Sequence, residues 1–85
     1  MDITFTDAFT PTSEGVSFQA VVDGKSIPCH VSVQVLKSIG PTNRFSTPTT
    51  MFETNRPRIE AAADRKIRAG QLVGGWVHVR TADLL

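Results

Sequence analysis

A cysteine followed directly by a histidine, at Cys29 and His30, is the first arrangement in this sequence that could do chemistry. A histidine that takes the proton of a thiol creates a nucleophilic thiolate, provided that the two side chains lie ~3 Å apart. These residues belong to a predicted β-strand, where successive side chains point to opposite faces. We therefore interpret Cys29 as a small apolar core residue and not as a nucleophile.

The second histidine of the chain, His78, raises the alternative of a metal site. If the strands that carry His30 and His78 were neighbours, the two imidazoles would approach each other on the outer face of the sheet. Zinc sites use three or four protein ligands, and no motif places another His, Cys or Asp to complete this one. We therefore predict neither a metal nor a cofactor.

Basic residues in the C-terminal half suggest a phosphate-binding surface. Residues 1–43 carry two positive and four negative groups, whereas residues 44–85 carry seven positive and four negative groups. Acidic residues adjoin the basic ones on the predicted long helix, a mixture typical of a solvated helix face. The candidates for binding nucleic acid are Arg58, Arg65 and Arg68 on one side of that helix, and Arg80 on the last strand.

The clearest structural signal is a β-hairpin around the Asp-Gly dipeptide at residues 23–24. This dipeptide favours a two-residue type I′ turn, which determines the residues that face each other across the two strands. The resulting register puts Phe18 opposite Cys29 on an apolar face. It leaves Gln19 and His30 on the other face.

One domain is predicted over residues 1–85, because a chain of this length has too few residues for a second core. At its start the strand DITFT is followed by the connecting loop TDAFTPTSEG. Pro28 has no amide hydrogen, so we expect its strand to lie at an edge or to contain a bulge. The predicted parts are an N-terminal strand and loop over 1–14, the hairpin over 15–32, a helical part over 33–70 and a last strand over 75–81.

Two helices are predicted between the hairpin and the last strand. The segment SVQVLKSIG, residues 32–40, forms a short helix, and PTNRFSTPTT then forms a loop. A long helix runs from about Pro48 to Ala69, with Thr47 as its N-cap. Pro57 either kinks this helix or divides it into two, with Asn55 as the second cap.

The order strand, strand, strand, helix, helix, strand predicts an α+β fold, with a small antiparallel sheet of about four strands. The long helix packs on one face through its apolar stripe of Phe52, Ile59, Ala63 and Ile67. A single helix covers a single face, so the other face must contact water or a second chain. Trp76 either lies on that outer face or folds back over the sheet edge. The candidate protein-interface residues are Gln19, His30, Trp76 and His78.

Composition excludes several classes of protein. A net charge of +1 is too small for the whole molecule to bind a polyanion. A single cysteine excludes an intramolecular disulfide and a multi-cysteine zinc site, which fits the cytoplasm. No apolar run of ~18 residues suggests a membrane span, and the N-terminal residues lack the features of a signal peptide.

The chain contains three segments, VSFQAVVDGKSIPCHVSVQVL, FETNRPRIEAAADRKIRAG and VHVRTADL, in this order. Together they resemble a family of small bacterial proteins known as domain of unknown function 1488, from about Val16 to Leu84. The resemblance implies a small, cytosolic α+β domain with an unbroken long helix, and with no established activity or cofactor. It supplies no functional residue for this chain.

We predict that the chain is a non-enzymatic binding or regulatory module that forms a homodimer through the uncovered sheet face or a strand edge. One alternative is a weak nucleic-acid-binding protein that uses the four candidate arginines. Another is a small enzyme with its site at a subunit interface, although the sequence contains neither a phosphate-binding glycine loop nor a nucleophile-elbow serine.

Overall fold

The structure, a computed structural model, describes residues 2–39 and 47–84. Four strands form one sheet in the order β1-β2-β3-β4. The predicted α+β class, the chain order of the elements and the long helix on one sheet face are confirmed. The elements are β1 (Ile3–Pro11), β2 (Gly15–Val22), β3 (Lys25–Ser32), α1 (Val33–Ile39), α2 (Pro48–Arg68), β4 (Val77–Val79) and α3 (Thr81–Leu84).

Strands β2 and β3 form the predicted hairpin. Its two turn residues, Asp23 and Gly24, have positive φ values of 49° and 84°, as a type I′ turn requires. The register is the predicted one, with Phe18 opposite Cys29. Local turn chemistry therefore decides which side chains of this hairpin face the core.

Strand β1 extends further than predicted, because most of the segment interpreted as a loop continues the strand to Pro11. Phe5 pairs with Ala20 and Phe9 pairs with Phe18, so β1 contains a bulge between its two phenylalanines. A bulge inserts residues into one strand and interrupts the regular alternation of side chains. Because polar residues within the bulge break the alternation of apolar and polar side chains, the sequence does not predict the second half of the strand.

A contact from the long helix holds this bulge in place. The Arg56 guanidinium donates hydrogen bonds to the main-chain carbonyls of Thr6 and Asp7. It also lies over the rings of Phe9 and Phe52, at 5.7 Å and 5.5 Å from their centroids. Because Arg56 is about 50 residues away along the chain, with separations of 49 and 50, the sequence contains no local signal for this contact.

Strand β4 lies beside β3 and runs parallel to it, so the sheet is mixed and not wholly antiparallel. The intervening helices carry the chain back across the sheet, and such a crossover connection joins parallel strands. The strand covers Val77–Val79 instead of residues 75–81, because a turn precedes it and α3 follows. It pairs with Cys29–Val31 alone, which leaves β3 with one neighbour at Pro28, as at a sheet edge.

Helix α2 continues without interruption through Pro57, as the family resemblance implied. Asn55 is a buried residue inside the helix instead of a second N-cap, and its side-chain amide donates to the Met51 carbonyl at 2.9 Å. The N-cap is Thr47, as predicted, because its hydroxyl accepts the amide hydrogen of Thr50 at 3.1 Å. The proline at the next position suits the first helical turn.

Helix α1 begins at its predicted cap, where the Ser32 hydroxyl accepts the amide hydrogen of Val35 at 3.2 Å. The predicted end of this helix at Gly40 lies outside the described residues. The same is true of residues 41–46, which contain most of the predicted loop PTNRFSTPTT.

The core lies between the sheet and the helices. One cluster of buried apolar side chains contains residues from β2, β3, β4 and all three helices. No helix in the described part of the chain is long and apolar enough to cross a membrane. The predicted apolar stripe of α2 is fully within this core, since its four residues are buried: Phe52, Ile59, Ala63 and Ile67.

Candidate functional site

The outer face of the sheet, opposite the helices, consists of side chains that alternate with the core residues. Charged residues make up 20% of the chain, yet the paired strand positions on this face carry no Lys, Arg, Asp or Glu. An ordinary solvated sheet face contains charged side chains, so this composition is unusual. The positions are Thr4, Thr10, Gly15, Ser17, Gln19, Val21, Ser26, Pro28, His30, Ser32 and His78.

A groove of about 420 Å³ lies on this outer face. It brings together three of the four candidate interface residues, whereas Gln19 lies on the same face but outside the lining. The lining consists of Ser17, His30 and His78 from three neighbouring strands, Trp76 just before β4, and Thr12, Ser13 and Glu14 from the turn between β1 and β2.

The two histidines are side by side in this groove. His30 and His78 are register partners of β3 and β4, and their ring centroids are 6.4 Å apart with an interplanar angle of 70°. Burial lowers the pKa of His30 below its ordinary value of 6.5, the neighbouring His78 lowers it further, and Glu14 opposes both. At neutral pH His30 therefore has a neutral imidazole with an available lone pair.

The turn that carries Glu14 is held by hydrogen bonds. The Thr12 hydroxyl accepts the amide hydrogen of Gly15 at 3.0 Å, and the Glu14 carbonyl accepts the amide hydrogen of Val33 at 2.9 Å. A Cβ at Gly15 would collide with the carbonyl oxygen of Val31, so the turn packs directly on β3. The sequence contains no signal for this side of the groove, because its position depends on the β1 bulge and on the end of β3.

Trp76 lies at a second tight turn. Its amide hydrogen binds the Val73 carbonyl at 3.0 Å, and its carbonyl accepts the amide hydrogen of Val73 at 2.9 Å. The intervening Gly74 and Gly75 have φ values of 60° and 81°, as a type I′ turn requires. Trp76 is 39% exposed and Val73 is 63% exposed, so this turn displays large apolar side chains next to the groove. Of the two placements predicted for Trp76, the structure has the outer face.

Cys29 takes no part in the groove. Its side chain points to the helices and is 0% exposed. Burial raises the pKa of the Cys29 thiol to about 11, although a hydrogen bond with the Ala20 backbone opposes the shift. The interpretation of Cys29 as a core residue is confirmed, and the Cys-His dipeptide is not a reactive pair.

Two of the candidate arginines hold the end of the chain on the long helix. Arg58 donates to the Leu84 carbonyl at 2.7 Å, and Arg65 donates to the Asp83 carbonyl at 2.6 Å. Lys66 forms an ion pair with the Asp83 carboxylate at 3.1 Å. These basic groups therefore have a structural role in docking α3.

The other two candidates lie elsewhere. Arg68 forms an ion pair with Asp64 at 2.6 Å, one turn earlier on α2. Arg80 is exposed between β4 and α3. Nucleic-acid binding by these arginines stays a prediction.

The groove by itself offers two metal ligands. Within residues 2–39 and 47–84, no group of three or more His, Cys, Asp or Glu side chains is arranged to hold a metal ion. A single chain thus presents a pair of imidazoles without the further ligands that a closed site requires.

Comparisons with known proteins identify relatives without a described activity. A family model described as protein of unknown function (DUF1488) matches residues 3–79. The crystal structure of a protein of unknown function from this family, from Shewanella loihica PV-4, is similar, with 25% sequence identity and a TM-score of 0.80. The similarity covers 92% of this chain and 91% of that chain. No curated protein matches the chain.

Proposed function

This chain belongs to the DUF1488 family of proteins of unknown function, and we propose that it is a non-enzymatic binding module that pairs with a second copy of itself. The contact surface is the outer face of the sheet, with the groove around His30, Trp76 and His78 at its centre. The carrying observation is that this face, which bears no helix of the described chain, also bears no charged side chain at its paired positions.

Composition supports a protein partner for this face. The centre of a protein–protein interface is poor in charged residues and rich in aromatic ones. The outer face has this character, since its groove contains a tryptophan and two imidazoles among small hydroxyl side chains and a single carboxylate, that of Glu14. Partly exposed Trp76 is the kind of residue that contributes most to binding energy when a partner covers it.

A second copy is the simplest partner for such a surface. In a two-fold dimer the same patch of both chains meets itself, so the patch must be self-complementary. The paired strand positions of this face satisfy this condition because none of them is charged, and Glu14 is the one acidic side chain in the lining of the groove. Two sheets can then stack face to face, as in β-sandwiches.

Light scattering during gel filtration tests the proposal. The untagged chain at tens of micromolar is expected to elute with the mass of a dimer. Gln19→Arg places a charge on the outer face outside the groove, and it is expected to raise the dimer dissociation constant at least ~10-fold, because an unpaired charge would be buried.

Gln34→Arg is the matched control, since Gln34 is exposed on α1 and the chemical change is the same. This variant is expected to remain dimeric. A monomeric unaltered chain would overturn the proposal, and equal dimerisation by both variants would remove the outer face as the interface.

We also assign the module to the bacterial cytoplasm. The support is its single cysteine, a free thiol in the core, which suits a reducing compartment. Fractionation of cells that produce the untagged chain tests this assignment, and recovery from the periplasm would contradict it.

A further inference from the structure

We propose that His30 and His78 form one half of a transition-metal site, which two copies of the chain complete with four imidazoles around one divalent ion such as Zn²⁺. The inference rests on the proposed pairing of two outer faces. The inference adds a bound metal ion, which the pairing of the two chains does not by itself require.

The spacing of the two rings suits a shared ion. The parallel pairing of β3 with β4 puts the histidines directly beside each other, and their ring centroids are 6.4 Å apart. A zinc–nitrogen bond is ~2.0–2.1 Å long, and each nitrogen lies on the rim of its ring. One ion between the rings can therefore bond both, with small side-chain rotations.

The two imidazoles that line the groove favour a cation that prefers nitrogen ligands. Imidazole binds metal in its neutral form, which suits Zn²⁺, Ni²⁺ and Cu²⁺. The titratable groups that line the groove are these two histidines and Glu14, from β3, β4 and the β1–β2 turn.

The polar neighbours can orient the rings. A histidine that binds a metal through one nitrogen commonly donates its other N–H to a carboxylate, carbonyl or hydroxyl oxygen. Glu14 and Ser17 line the same groove and provide such acceptors. They would act as positioning residues, and the imidazoles would act as the ligands.

The missing ligands must come from outside the chain. No third His, Cys, Asp or Glu joins the pair within the described ranges, and Cys29 faces the core on the opposite side of the sheet. Stacked sheets lie ~10 Å apart, so histidine side chains from both sheets reach the space between them. A two-fold axis through the groove would bring two more imidazoles and close a tetrahedral site.

Equilibrium dialysis of the untagged, EDTA-treated chain against Zn²⁺ tests the proposal. The expected stoichiometry is about one ion per two chains. His30→Gln and His78→Gln are each expected to weaken Zn²⁺ binding at least ~100-fold. Removing a residue that only hydrogen-bonds to a metal ligand already weakens binding by up to ~100-fold, and these variants remove a ligand itself. Trp76 is the one tryptophan of the sequence, so its fluorescence measures metal binding in the groove. Bound paramagnetic Ni²⁺ should quench this fluorescence.

The Gln19→Arg variant distinguishes a shared site from a site within one chain. It keeps both histidines, so it loses tight binding if two copies share the ion and retains it if one chain suffices. Gln34→Arg is expected to bind Zn²⁺ as the unaltered chain does.

Mass measurements with and without Zn²⁺ separate this inference from the proposed function. A dimer that binds no Zn²⁺ overturns the metal site and leaves the pairing. One ion per monomer, or binding that survives His78→Gln, also overturns the shared site. A chain that is monomeric under both conditions overturns both proposals.

Discussion

Cys29 and His30 are adjacent in the chain but lie in opposite environments, because successive side chains of a strand point to opposite faces of the sheet. The thiol is enclosed by the core, which disfavours its charged form. The imidazole lies in a partly buried groove beside a second imidazole, which also disfavours its charged form. Both residues are therefore neutral at pH 7, but His30 alone is open to a ligand.

The reactivity of Cys29 should report its burial. At pH 8 a disulfide reagent is expected to modify the folded chain at least ~100-fold more slowly than the chain in denaturant, because a raised pKa leaves little thiolate and the core excludes the reagent. Stopped-flow absorbance measures both rates. In a matched variant, Cys29→Ala with Lys25→Cys, the exposed thiol on the same strand should react quickly. Rapid modification of native Cys29 would favour the enzyme alternative.

The pKa of His30 should move in opposite directions in two variants. His78→Gln removes a neighbouring group that lowers the pKa of His30, so the pKa should rise toward 6.5. Glu14→Gln removes the opposing carboxylate, so the pKa should fall further. Histidine proton shifts in NMR, followed from pH 8 to pH 5 in EDTA, measure both. Equal shifts of one sign would show that the groove geometry is wrong.

The same shift has a consequence for stability. Since the folded-state pKa of His30 lies below 6.5, the unfolded chain takes up the proton first as the pH falls. The free energy of unfolding should therefore decrease as the pH drops through about 6.5, and the decrease should be smaller in His30→Gln.

At the scale of elements, two short turns and one close approach position the groove. The Asp23-Gly24 turn sets the face on which His30 lies, and the Gly74-Gly75 turn presents Trp76. Gly15 lets the β1–β2 turn pack against the β3 backbone. Each of these two turns, and the close approach at Gly15, involves only a few residues, so a single substitution can disturb it.

Gly15→Ala is expected to destabilise the fold by ~1–3 kcal/mol, because overpacking forces the backbone to shift. Its Cβ would collide with the Val31 carbonyl and lie 2.8 Å from Ser32 Cα. Gly24→Asn is the control, since Gly24 has open space around it and asparagine tolerates a left-handed conformation. Urea unfolding measures both, and a greater loss in the control would contradict the close approach.

At the scale of the whole molecule, the helices and their basic residues lie on one side of the sheet, and the paired strand positions of the other side carry no charge. The basic groups of α2 bind the backbone and carboxylate of α3, so they are partly neutralised within the molecule. The net charge of the chain is +1. This distribution favours a protein partner on the outer face over a polyanion on the helix.

Nucleic-acid binding is accordingly expected to be weak. Affinity depends on the number of phosphates neutralised, so labelled DNA and RNA should show no binding at ~150 mM salt and ~10 µM protein. Fluorescence anisotropy at low and moderate salt measures this. Micromolar binding that weakens in Arg65→Ala and Arg68→Ala, but not in the control Lys25→Ala, would favour the nucleic-acid alternative.

Several features of the fold follow from short-range signals in the sequence. The Asp-Gly turn predicted the pairing of Phe18 with Cys29, because turn type determines register in a hairpin. The spacing of Phe52 and Ile59 predicted the buried stripe of α2, because helix geometry repeats every 3.6 residues. The outward position of His30 followed from the same turn.

Other features depended on contacts between distant residues. The second half of β1 is a strand because Arg56 and Phe52 hold its bulge, and local alternation does not encode that contact. His78 lies beside His30 because β4 pairs in parallel with β3. The position of β4 depends on how the helices that connect the two strands pack on the sheet. Residue types and local periodicity thus determined the elements and their faces, whereas only the tertiary structure decided which strands are neighbours and so created the groove.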